Sequence, residues 1–319
     1  MYMCTAIRFN GCGADSYFAR NFDWVSSYGE GILVVPRNYE VKSSFGAYDT
    51  VLHPCLGMGV IEDNQPLYFD CSNDKGLSVA TLNFKGYAAY ELEELDDKTN
   101  IGVSEFPFWV ASQFESVDEV EVALHDVAII SKNVIERYAT NQVHWMIADR
   151  RRSIVVEYTK RGMEIFHNNV DVLTNQPGYD WHHENLRNYL HLTDEMPTGA
   201  SWTNVSLKPF GVGAGMQGMP GGYASADRFV RAAYFNANYP TKETEKENVA
   251  RAFRELMSVA MIEGAAENKR GENEVTIYTS CFSTYTGNYY YNTYETFEVK
   301  YTNLNDFDLD ANELIFVEA

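Results

Sequence analysis

The sequence predicts an α+β fold in which antiparallel sheets are covered by helices. Three observations support this prediction. The first 84 residues contain short apolar runs separated by Gly, Asn and Asp, as in successive strands. Strand-like and helix-like segments then follow one another in blocks, and Gly287-Asn288 separates two long strand-like runs near the C-terminus. Blocks of this kind are typical of layered α+β proteins and differ from the alternation of a doubly wound nucleotide-binding fold.

The N-terminal half is predicted to contain strands, two helices and further strands. The second helix is expected to open with a capping box, in which Ser116 and Glu119 satisfy each other's free backbone N–H groups. The later strands are expected to form a meander. The predicted strands cover residues 5–9, 16–21, 31–35, 58–61, 67–71, 77–84, 143–148, 153–159, 163–166 and 171–173, and the helices cover residues 104–114 and 117–127.

The remaining segments are predicted to place helices on a sheet and to end in a hairpin. Ser225 is a candidate N-cap, and Val249, Phe253 and Leu256 share one helix face at the 3.6-residue period. Glycine tolerates the positive φ of a two-residue turn at Gly287-Asn288. The predicted helices cover residues 181–192, 226–236 and 246–263, and the strands cover residues 275–286 and 289–301.

Composition and charge exclude several classes of protein. No repeat, low-complexity tract or linker divides the 319 residues, so residues 1–319 are expected to form one domain. The formal net charge is −20, which removes the electrostatic attraction on which binding to nucleic acids and anionic membranes depends. There is no run of about 18 apolar residues and no basic-apolar signal pattern, so a cytoplasmic protein is expected.

No motif for a metal or a cofactor is present. The sequence lacks G-x-G-x-x-G, P-loop, H-E-x-x-H and G-x-S-x-G patterns, and its seven histidines show no ligand spacing. The five cysteines are scattered and never form a C-x-x-C pair, which argues against a disulfide framework and a zinc ribbon. Neither a metal nor a cofactor is therefore expected.

The segment with the most chemical information is the start of the chain. Cys4 follows Met3, and a cysteine becomes the first residue of a chain once an initiator methionine before it is removed. The α-amine of such a residue titrates near 8 and the thiol near 8.5 in their unperturbed forms. The free amine can therefore take the thiol proton at neutral pH, which makes Cys4 a candidate nucleophile with its own base.

Motifs along the whole chain resemble those of the choloylglycine hydrolase family of N-terminal nucleophile hydrolases, which contains bile salt hydrolases and penicillin V acylases. The motifs are Met3-Cys4-Thr5-Ala6-Ile7-Arg8-Phe9, Ala19-Arg20-Asn21-Phe22-Asp23-Trp24, Val34-Val35-Pro36-Arg37, Thr81-Leu82-Asn83-Phe84-x-Gly86-Tyr87-Ala88, Leu173-Thr174-Asn175-Gln176-Pro177, Asn185-Leu186-x-Asn188-Tyr189, Arg228-Phe229-Val230-Arg231-Ala232-Ala233 and Tyr289-Tyr290-Tyr291-Asn292-Thr293-Tyr294.

The resemblance implies a four-layer αββα sandwich and a set of catalytic residues. Cys4 corresponds to the nucleophile, Arg20 to the residue beside the thiol and Asp23 to the residue beside the α-amine. A guanidinium favours thiolate over thiol, and a carboxylate orients the amine. Without the resemblance, Arg20 and Asp23 would be interpreted as an exposed ion pair on a strand.

The same resemblance assigns two asparagines, a second arginine and a substrate pocket. Asn83 and Asn175 correspond to polar residues near the scissile carbonyl, where an amide N–H can stabilise an oxyanion. Arg228 corresponds to the second active-site arginine. Taken alone, these three would be two turn residues and a solvated helix residue. The implied pocket residues are Phe22, Glu62, Tyr68, Val134 and Tyr138.

The context of Asn83 favours bile salts over penicillin V, since penicillin V acylases tend to carry an aromatic residue there. The implied reaction cleaves glycine or taurine from a conjugated bile acid through a Cys4 thioester, in a homotetramer. Alternatives are a penicillin V or N-acyl homoserine lactone acylase, an inactive relative that binds amphiphiles, and a redox sensor, although no resolving cysteine is evident. Lys85, Glu62 and the run 221–227 depart from the family pattern and leave the glycine-versus-taurine preference open.

The first three residues bear on the mechanism. The bulky Tyr2 hinders removal of Met1, and a chain translated from Met1 would keep the nitrogen of Cys4 in an amide. Translation from Met3, followed by removal of that methionine, exposes the thiol and the amine together. We therefore expect the active form to begin at Cys4, with autocatalytic loss of residues 1–3 as the alternative route.

Overall fold

Two antiparallel sheets that pack against each other form the centre of the computed structural model, which describes residues 3–131 and 141–319. The first sheet has six strands in the order β12-β1-β2-β15-β16-β17. The second has eight strands in the order β11-β10-β9-β6-β5-β4-β3-β18. Two small sheets lie outside them, the antiparallel pair β13 and β14 and the parallel pair β7 and β8.

In the N-terminal half the predicted strands match the observed ones to within three residues at each end, but the strands at residues 99–102 and 127–130 are not predicted from the sequence. The strands are β1 (Met3–Asn10), β2 (Ser16–Trp24), β3 (Gly31–Val35), β4 (Cys55–Glu62), β5 (Gln65–Asn73), β6 (Ser78–Asn83), β7 (Thr99–Gly102), β8 (Val127–Ile130), β9 (Val143–Ala148), β10 (Ser153–Thr159), β11 (Gly162–His167), β12 (Val172–Leu173), β13 (Ala200–Trp202), β14 (Val205–Leu207), β15 (Val275–Ser283), β16 (Asn288–Thr293), β17 (Thr296–Asn303) and β18 (Ile315–Glu318).

Helices cover the outer face of each large sheet. They are α1 (Phe106–Gln113), α2 (Val117–Leu124), α3 (Tyr179–Asn185), α4 (Ser225–Asn238) and α5 (Glu245–Met257). Helices α4 and α5 pack on the six-stranded sheet, and α1 packs on the eight-stranded sheet. The predicted four-layer αββα sandwich is therefore confirmed. No helix in the part of the chain that the structure describes is long and apolar enough to cross a membrane.

Burial on both faces explains why the central strands do not alternate between apolar and polar residues. Seven of the eight residues of β1 are buried, because one face meets helix α4 and the other meets the eight-stranded sheet. Continuous burial of this kind selects apolar residues at every position of a strand. Polar side chains that occur in such strands, notably Arg20 and Asp23 in β2, must then find partners inside the protein.

Three element predictions need correction. The last predicted strand, residues 289–301, is two strands, β16 and β17, joined through a turn at residues 294–295. The loop before β16 has four residues rather than two; Gly287 ends it with φ 75° and donates its N–H to Ser283 O at 3.0 Å. Strand β12 leaves the predicted meander and pairs with β1 in the other sheet.

Helix ends differ for local reasons. Helix α5 ends at Met257, six residues before the predicted end, because the chain turns back there to begin the connection to β15. The predicted capping box of α2 forms only in part. Ser116 accepts the N–H of Glu119, but the Glu119 carboxylate accepts the N–H of Glu115 at 2.8 Å rather than that of Ser116.

Candidate active site

The pairing of β1 with β2 brings Cys4, Arg20 and Asp23 together. In the antiparallel register Met3 is opposite Asp23, Cys4 is opposite Phe22, and Ala6 is opposite Arg20. Residues opposite or diagonal to each other in such a pair lie within about 5–8 Å. The register therefore places Arg20 on the same face as the thiol and Asp23 beside the residue 3–4 peptide, where the nitrogen of Cys4 lies.

The Cys4 thiol is buried and neutral at rest. Its residue is 3% exposed, and burial raises its pKa above the ordinary value. The positive charge of Arg20 opposes this effect, while the negative charge of Asp23 adds to it. The charge of Arg20 therefore favours the thiolate but does not outweigh burial. Formation of the nucleophile requires a base that takes the proton during the reaction.

Arg20 is held rigidly beside this thiol by buried acceptors. Its Nη1 donates to Phe69 O at 2.7 Å and lies 3.8 Å from Asp70 Oδ1. Asp70 in turn accepts the hydroxyls of Tyr278 and Tyr289. Burial by itself lowers the pKa of Arg20, but the surrounding groups, Tyr278 first among them, raise it overall. The guanidinium therefore stays charged.

Asp23 is a buried carboxylate with spare hydrogen-bonding capacity. Its Oδ1 accepts the hydroxyl of Thr276 at 2.6 Å, whereas Oδ2 has no partner among residues 3–131 and 141–319. Burial raises the pKa of Asp23 to about 7, although the charge of Arg228 opposes the shift. A buried carboxylate oxygen without a donor is costly, and an ammonium group at Cys4 N would supply one.

Asn175 links the elements of the site. Its side-chain Oδ1 accepts the N–H of Cys4 at 2.9 Å and Nη2 of Arg228 at 2.6 Å. Its Nδ2 donates to Asn83 O at 2.9 Å. One amide side chain thus fixes the nucleophile's nitrogen, the second arginine and the loop that carries Asn83.

Arg228 is a buried clamp rather than the solvated helix residue that the isolated sequence suggests. From the first turn of α4 its Nη1 donates to Cys4 O at 2.6 Å and to Thr5 Oγ1 at 2.7 Å. It is fully buried, and burial lowers its pKa, while Asp23 and Cys4 oppose that shift. Arg228 therefore holds the carbonyl of Cys4, the side chain of Thr5 and the side chain of Asn175 in fixed relative positions.

Asn83 offers a buried amide donor at the end of β6. Its residue is 8% exposed, and its Nδ2 has no acceptor within the described ranges 3–131 and 141–319. An amide N–H left unpaired beside a nucleophile is suited to bind the oxyanion of a tetrahedral intermediate. Asn83 and Asn175 are in contact through the carbonyl of Asn83, so the structure brings the two asparagines together.

Ser225 has a different task from the predicted helix cap. Helix α4 begins at Ser225 with Ala224 as N-cap and no side-chain cap hydrogen bond. The Ser225 hydroxyl accepts the N–H of Asn175 at 2.9 Å and lies 2.9 Å from Thr174 Oγ1. It therefore supports the Asn175 loop. No sequence signal separates this role from capping, because both need a small hydroxyl residue at a helix start.

The expected pocket residues are spread over several places. Phe22 lies opposite Cys4 and stacks on Phe69 at 4.6 Å between ring centroids. Tyr68 lines a cavity of about 50 Å³ and donates its hydroxyl to Leu33 O at 3.0 Å. Glu62 is half-buried at the end of β4. Val134 and Tyr138 lie outside the described residues.

A cavity of about 700 Å³ adjoins the site. Its lining includes the residue after Asp23, the residue after Asn175 and the second residue after Asn83. The lining carries three basic and two acidic side chains, so its formal charge is slightly positive. The lining residues are Trp24, Val25, Ser26, Lys85, Gln176, Glu267, Asn268, Lys269, Arg270 and Glu272. The cavity therefore opens beside three of the predicted site residues and suits an anionic group.

A buried thiol beside two arginines and two asparagine side chains is an arrangement suited to acyl transfer. The profile of the family described as "Linear amide C-N hydrolases, choloylglycine hydrolase family" matches residues 4–317. The chain is 46% identical over 99% of both chains to a bile salt hydrolase/transferase of Bifidobacterium longum. It is 42% identical to a conjugated bile acid hydrolase of Lactobacillus gasseri over 98% of this chain and 99% of that protein.

The comparison of solved structures gives the same result. A variant of the conjugated bile acid hydrolase from Clostridium perfringens superimposes with a TM-score of 0.93 at 35% identity, over 99% of this chain and 97% of that one. The similarity therefore extends over nearly the whole of both chains.

Proposed function

Since the chain belongs to the choloylglycine hydrolase family of linear amide C-N hydrolases, we propose that it hydrolyses the amide bond of glycine- or taurine-conjugated bile acids. The observation that carries this proposal is the position of Cys4. Its thiol lies buried on the face of Arg20, and its nitrogen is hydrogen-bonded to Asn175. Relatives named for bile salt hydrolysis that are 37–46% identical over nearly the whole chain support the substrate class.

In the proposed mechanism the active chain begins at Cys4. The free α-amine takes the thiol proton, and the thiolate attacks the amide carbonyl to form a tetrahedral intermediate. The resulting oxyanion accepts hydrogen bonds from the side-chain amides of Asn83 and Asn175, each worth about 3 kcal/mol. The ammonium returns its proton to the leaving nitrogen, the amino acid departs, and a cholyl thioester remains on Cys4. Water then hydrolyses the thioester and regenerates the thiol.

Asp23 and the two arginines support these steps from fixed positions. Oδ2 of Asp23, which has no partner among residues 3–131 and 141–319, can accept a hydrogen bond from the ammonium group formed during the reaction. This hydrogen bond orients the amine and gives the buried carboxylate the donor that it lacks. Arg20 lowers the cost of forming the thiolate. Arg228 holds the carbonyl of Cys4 and the side chain of Asn175, so the nucleophile and the oxyanion donor keep their relative position.

The proposed substrate orientation follows from the two sides of the site. The anionic glycine or taurine group lies in the cavity of about 700 Å³, where Lys85, Lys269 and Arg270 offset the chain's overall charge of −20. Screening over about 8 Å at physiological ionic strength lets such local charges dominate. The steroid lies on the side of Phe22 and its stacked neighbour Phe69, and the proposed pocket extends to Glu62, Val134 and Tyr138. Tyr68 does not face this side, because its ring packs against Phe108 of α1 in the core between the eight-stranded sheet and the helices.

We also propose that the chain assembles as a homotetramer in the cytoplasm. The hairpin of β13 and β14 exposes apolar side chains, with Trp202 72%, Val205 57% and the following Phe210 fully accessible. Contiguous exposed apolar residues of this kind are typical of interfaces. All five cysteines are unpaired, as in proteins of reducing compartments. Light scattering should give a mass of four times 36.3 kDa, and Trp202→Ser should lower it.

The test of the proposed function measures released amino acid from three substrates. Purified enzyme is incubated with glycocholate, taurocholate and penicillin V, and free amine is quantified. Turnover of the bile salts that is lost in Cys4→Ala and kept in Cys12→Ala, a matched change at an exposed cysteine, supports the proposal. Full turnover by Cys4→Ala, or turnover of penicillin V alone, contradicts it.

A further inference from the structure

One buried histidine contacts both loops that carry the oxyanion asparagines. His144 lies on β9, which pairs with β6 so that His144 is opposite Leu82. Its ring stacks on Phe84, the residue after Asn83, at 4.2 Å between centroids and 7° between planes. Its Nε2 donates to Thr174 O, the residue before Asn175, at 2.9 Å. His144 is fully buried and touches neither Cys4 nor the cavity beside it in the contacts described.

The other ring nitrogen of His144 faces a buried carboxylate. Nδ1 lies 3.1 Å from Glu157 Oε1, and the Glu157 side chain is 1% exposed. Because the carbonyl of Thr174 can only accept, Nε2 must carry a proton. A carboxylate oxygen and an unprotonated Nδ1 would repel each other, so a second proton lies between Nδ1 and Oε1. The two residues thus form a hydrogen-bonded pair that shares one proton.

Glu157 also holds the far end of the Asn175 loop. The same Oε1 accepts the N–H of Tyr179, the first residue of α3, at 2.9 Å. The pair therefore grips the loop at Thr174 and at Tyr179, on both sides of Asn175. A second buried histidine, His182, donates Nε2 to Asn175 O at 2.9 Å. Burial lowers the pKa of His182 to about 4, so this ring is neutral at working pH.

We propose that His144 and Glu157 are positioning residues that set the separation of Asn83 and Asn175. The inference rests on the proposed function, because it concerns the donors to the oxyanion of that reaction. The pair acts through Phe84 on one side and through residues 174 and 179 on the other. Its loss leaves the thiol and the substrate cavity in place but moves the amide donors away from the developing charge.

Three substitutions separate this role from a merely structural one. His144→Phe keeps a ring against Phe84 and removes both hydrogen bonds. Glu157→Ala removes the acceptor for Nδ1 and for Tyr179. Glu157→Gln keeps an oxygen that accepts the N–H of Tyr179 but loses the proton shared with Nδ1, because both contacts use the single Oε1 position and a neutral amide oxygen there can only accept. His53→Phe is the matched control. His53 lies away from the site and forms a comparable pair with Asp74, with 3.2 Å between Nδ1 and Oδ1.

The expected result is a loss of kcat with little change in KM. Misplacement of catalytic groups by about 1 Å costs on the order of 10²-fold in rate, so kcat of His144→Phe and Glu157→Ala should fall between tenfold and 10²-fold. KM for taurocholate should stay within about threefold, because ground-state binding is unaffected. Glu157→Gln, which keeps the contact to Tyr179, should lose less kcat than Glu157→Ala, and His53→Phe should keep kcat even where its urea midpoint falls.

The shared proton can be detected in the wild-type enzyme, so this test does not depend on whether His144→Phe folds. Proton NMR of the wild-type enzyme should show a slowly exchanging resonance downfield of the amide region that correlates with the His144 ring and disappears in Glu157→Gln. Absence of that resonance contradicts the shared proton. Unchanged kcat in His144→Phe, or equal losses in Glu157→Gln and Glu157→Ala, overturns the positioning role. A wild-type enzyme inactive on all bile salts would instead refute the proposed function.

Discussion

Asp23→Asn tests how strongly the site depends on a free amine at Cys4. The Asp23 carboxylate is fully buried, and its Oδ2 has no donor within residues 3–131 and 141–319. Burial raises its pKa from 3.8 to about 7 in a chain where Cys4 follows Met3. The folded state therefore binds the Asp23 proton more tightly than the unfolded state does. Stability is lost as the pH rises from about 4 and the full cost is present above about 7.

The size of this effect follows from the pKa shift. A shift of about 3 units at about 1.4 kcal/mol per unit amounts to about 4 kcal/mol above pH 7. At pH 5 the same linkage gives about 1–2 kcal/mol, so the cost grows by about 2–3 kcal/mol between pH 5 and pH 8. An asparagine cannot ionise and does not pay this cost. Asp23→Asn should therefore gain stability over the wild type as the pH rises, although it loses activity.

The assay compares two preparations by urea unfolding at pH 5 and pH 8. In protein translated from Met1, which keeps residues 1–3, the advantage of Asp23→Asn should increase with pH by the stated amount. In protein translated from Met3, whose first residue is Cys4, the free α-amine donates an N–H to Asp23 Oδ2, which lowers the pKa of Asp23, and the advantage should shrink. Asp97→Asn, a change at an exposed carboxylate, should show no pH-dependent difference in either preparation. Equal behaviour of Asp23→Asn in both preparations would refute the pairing of Asp23 with the amine.

Three further predictions concern the thiol, the oxyanion and the substrate charge. In Arg20→Ala the pH profile of Cys4 alkylation by iodoacetamide should move to higher pH, because the positive charge that lowers the thiol pKa is removed. An unshifted profile contradicts the role of Arg20 in stabilising the thiolate. Asn175→Ala should lower kcat by about 10²–10³-fold and stability by about 1–3 kcal/mol, since Arg228 and Cys4 N lose their acceptor; a loss confined to KM contradicts it. Arg270→Glu should raise KM for taurocholate about twofold to fivefold, because it replaces a cation of the cavity lining with an anion that repels the sulfonate through screening solvent. An equal rise for the uncharged ethanolamide of cholic acid contradicts this role.

The sequence predicts those parts of the fold in which one strand's pattern decides the structure. Strands β3, β9 and β10 have the predicted bounds, because a short apolar run ended by turn residues leaves little choice. The partner of a strand is harder to predict. Strand β12 has only two residues, and nothing local distinguishes its pairing with β1 from a continuation of the meander. The split between β16 and β17 depends on a bulged register that the aromatic run conceals.

The site shows the same division between local and distant information. Arg20 and Asp23 lie beside Cys4 because β1 and β2 are consecutive strands that pair with each other. The sequence motifs on these two strands are therefore enough to place the three residues together. His144 and Glu157 reach the Asn175 loop from strands that precede it by tens of residues. Each alone is an ordinary core residue, and a single histidine on an apolar strand carries no signal of its partner. Only the assembled sheet reveals that they meet.

The central claim is that a thiol at the first position of the chain, Cys4, performs the reaction. The measurement that tests it most directly is peptide mass spectrometry of the active Cys12→Ser enzyme during stepwise inactivation by iodoacetamide. This variant lacks the exposed cysteine, so the remaining thiols are those of Cys4 and of three other buried cysteines. We predict that activity falls in proportion to carbamidomethylation of a peptide whose first residue is Cys4. Complete inactivation with that peptide unmodified, or full activity in a species that still begins Met1-Tyr2-Met3, would contradict the mechanism.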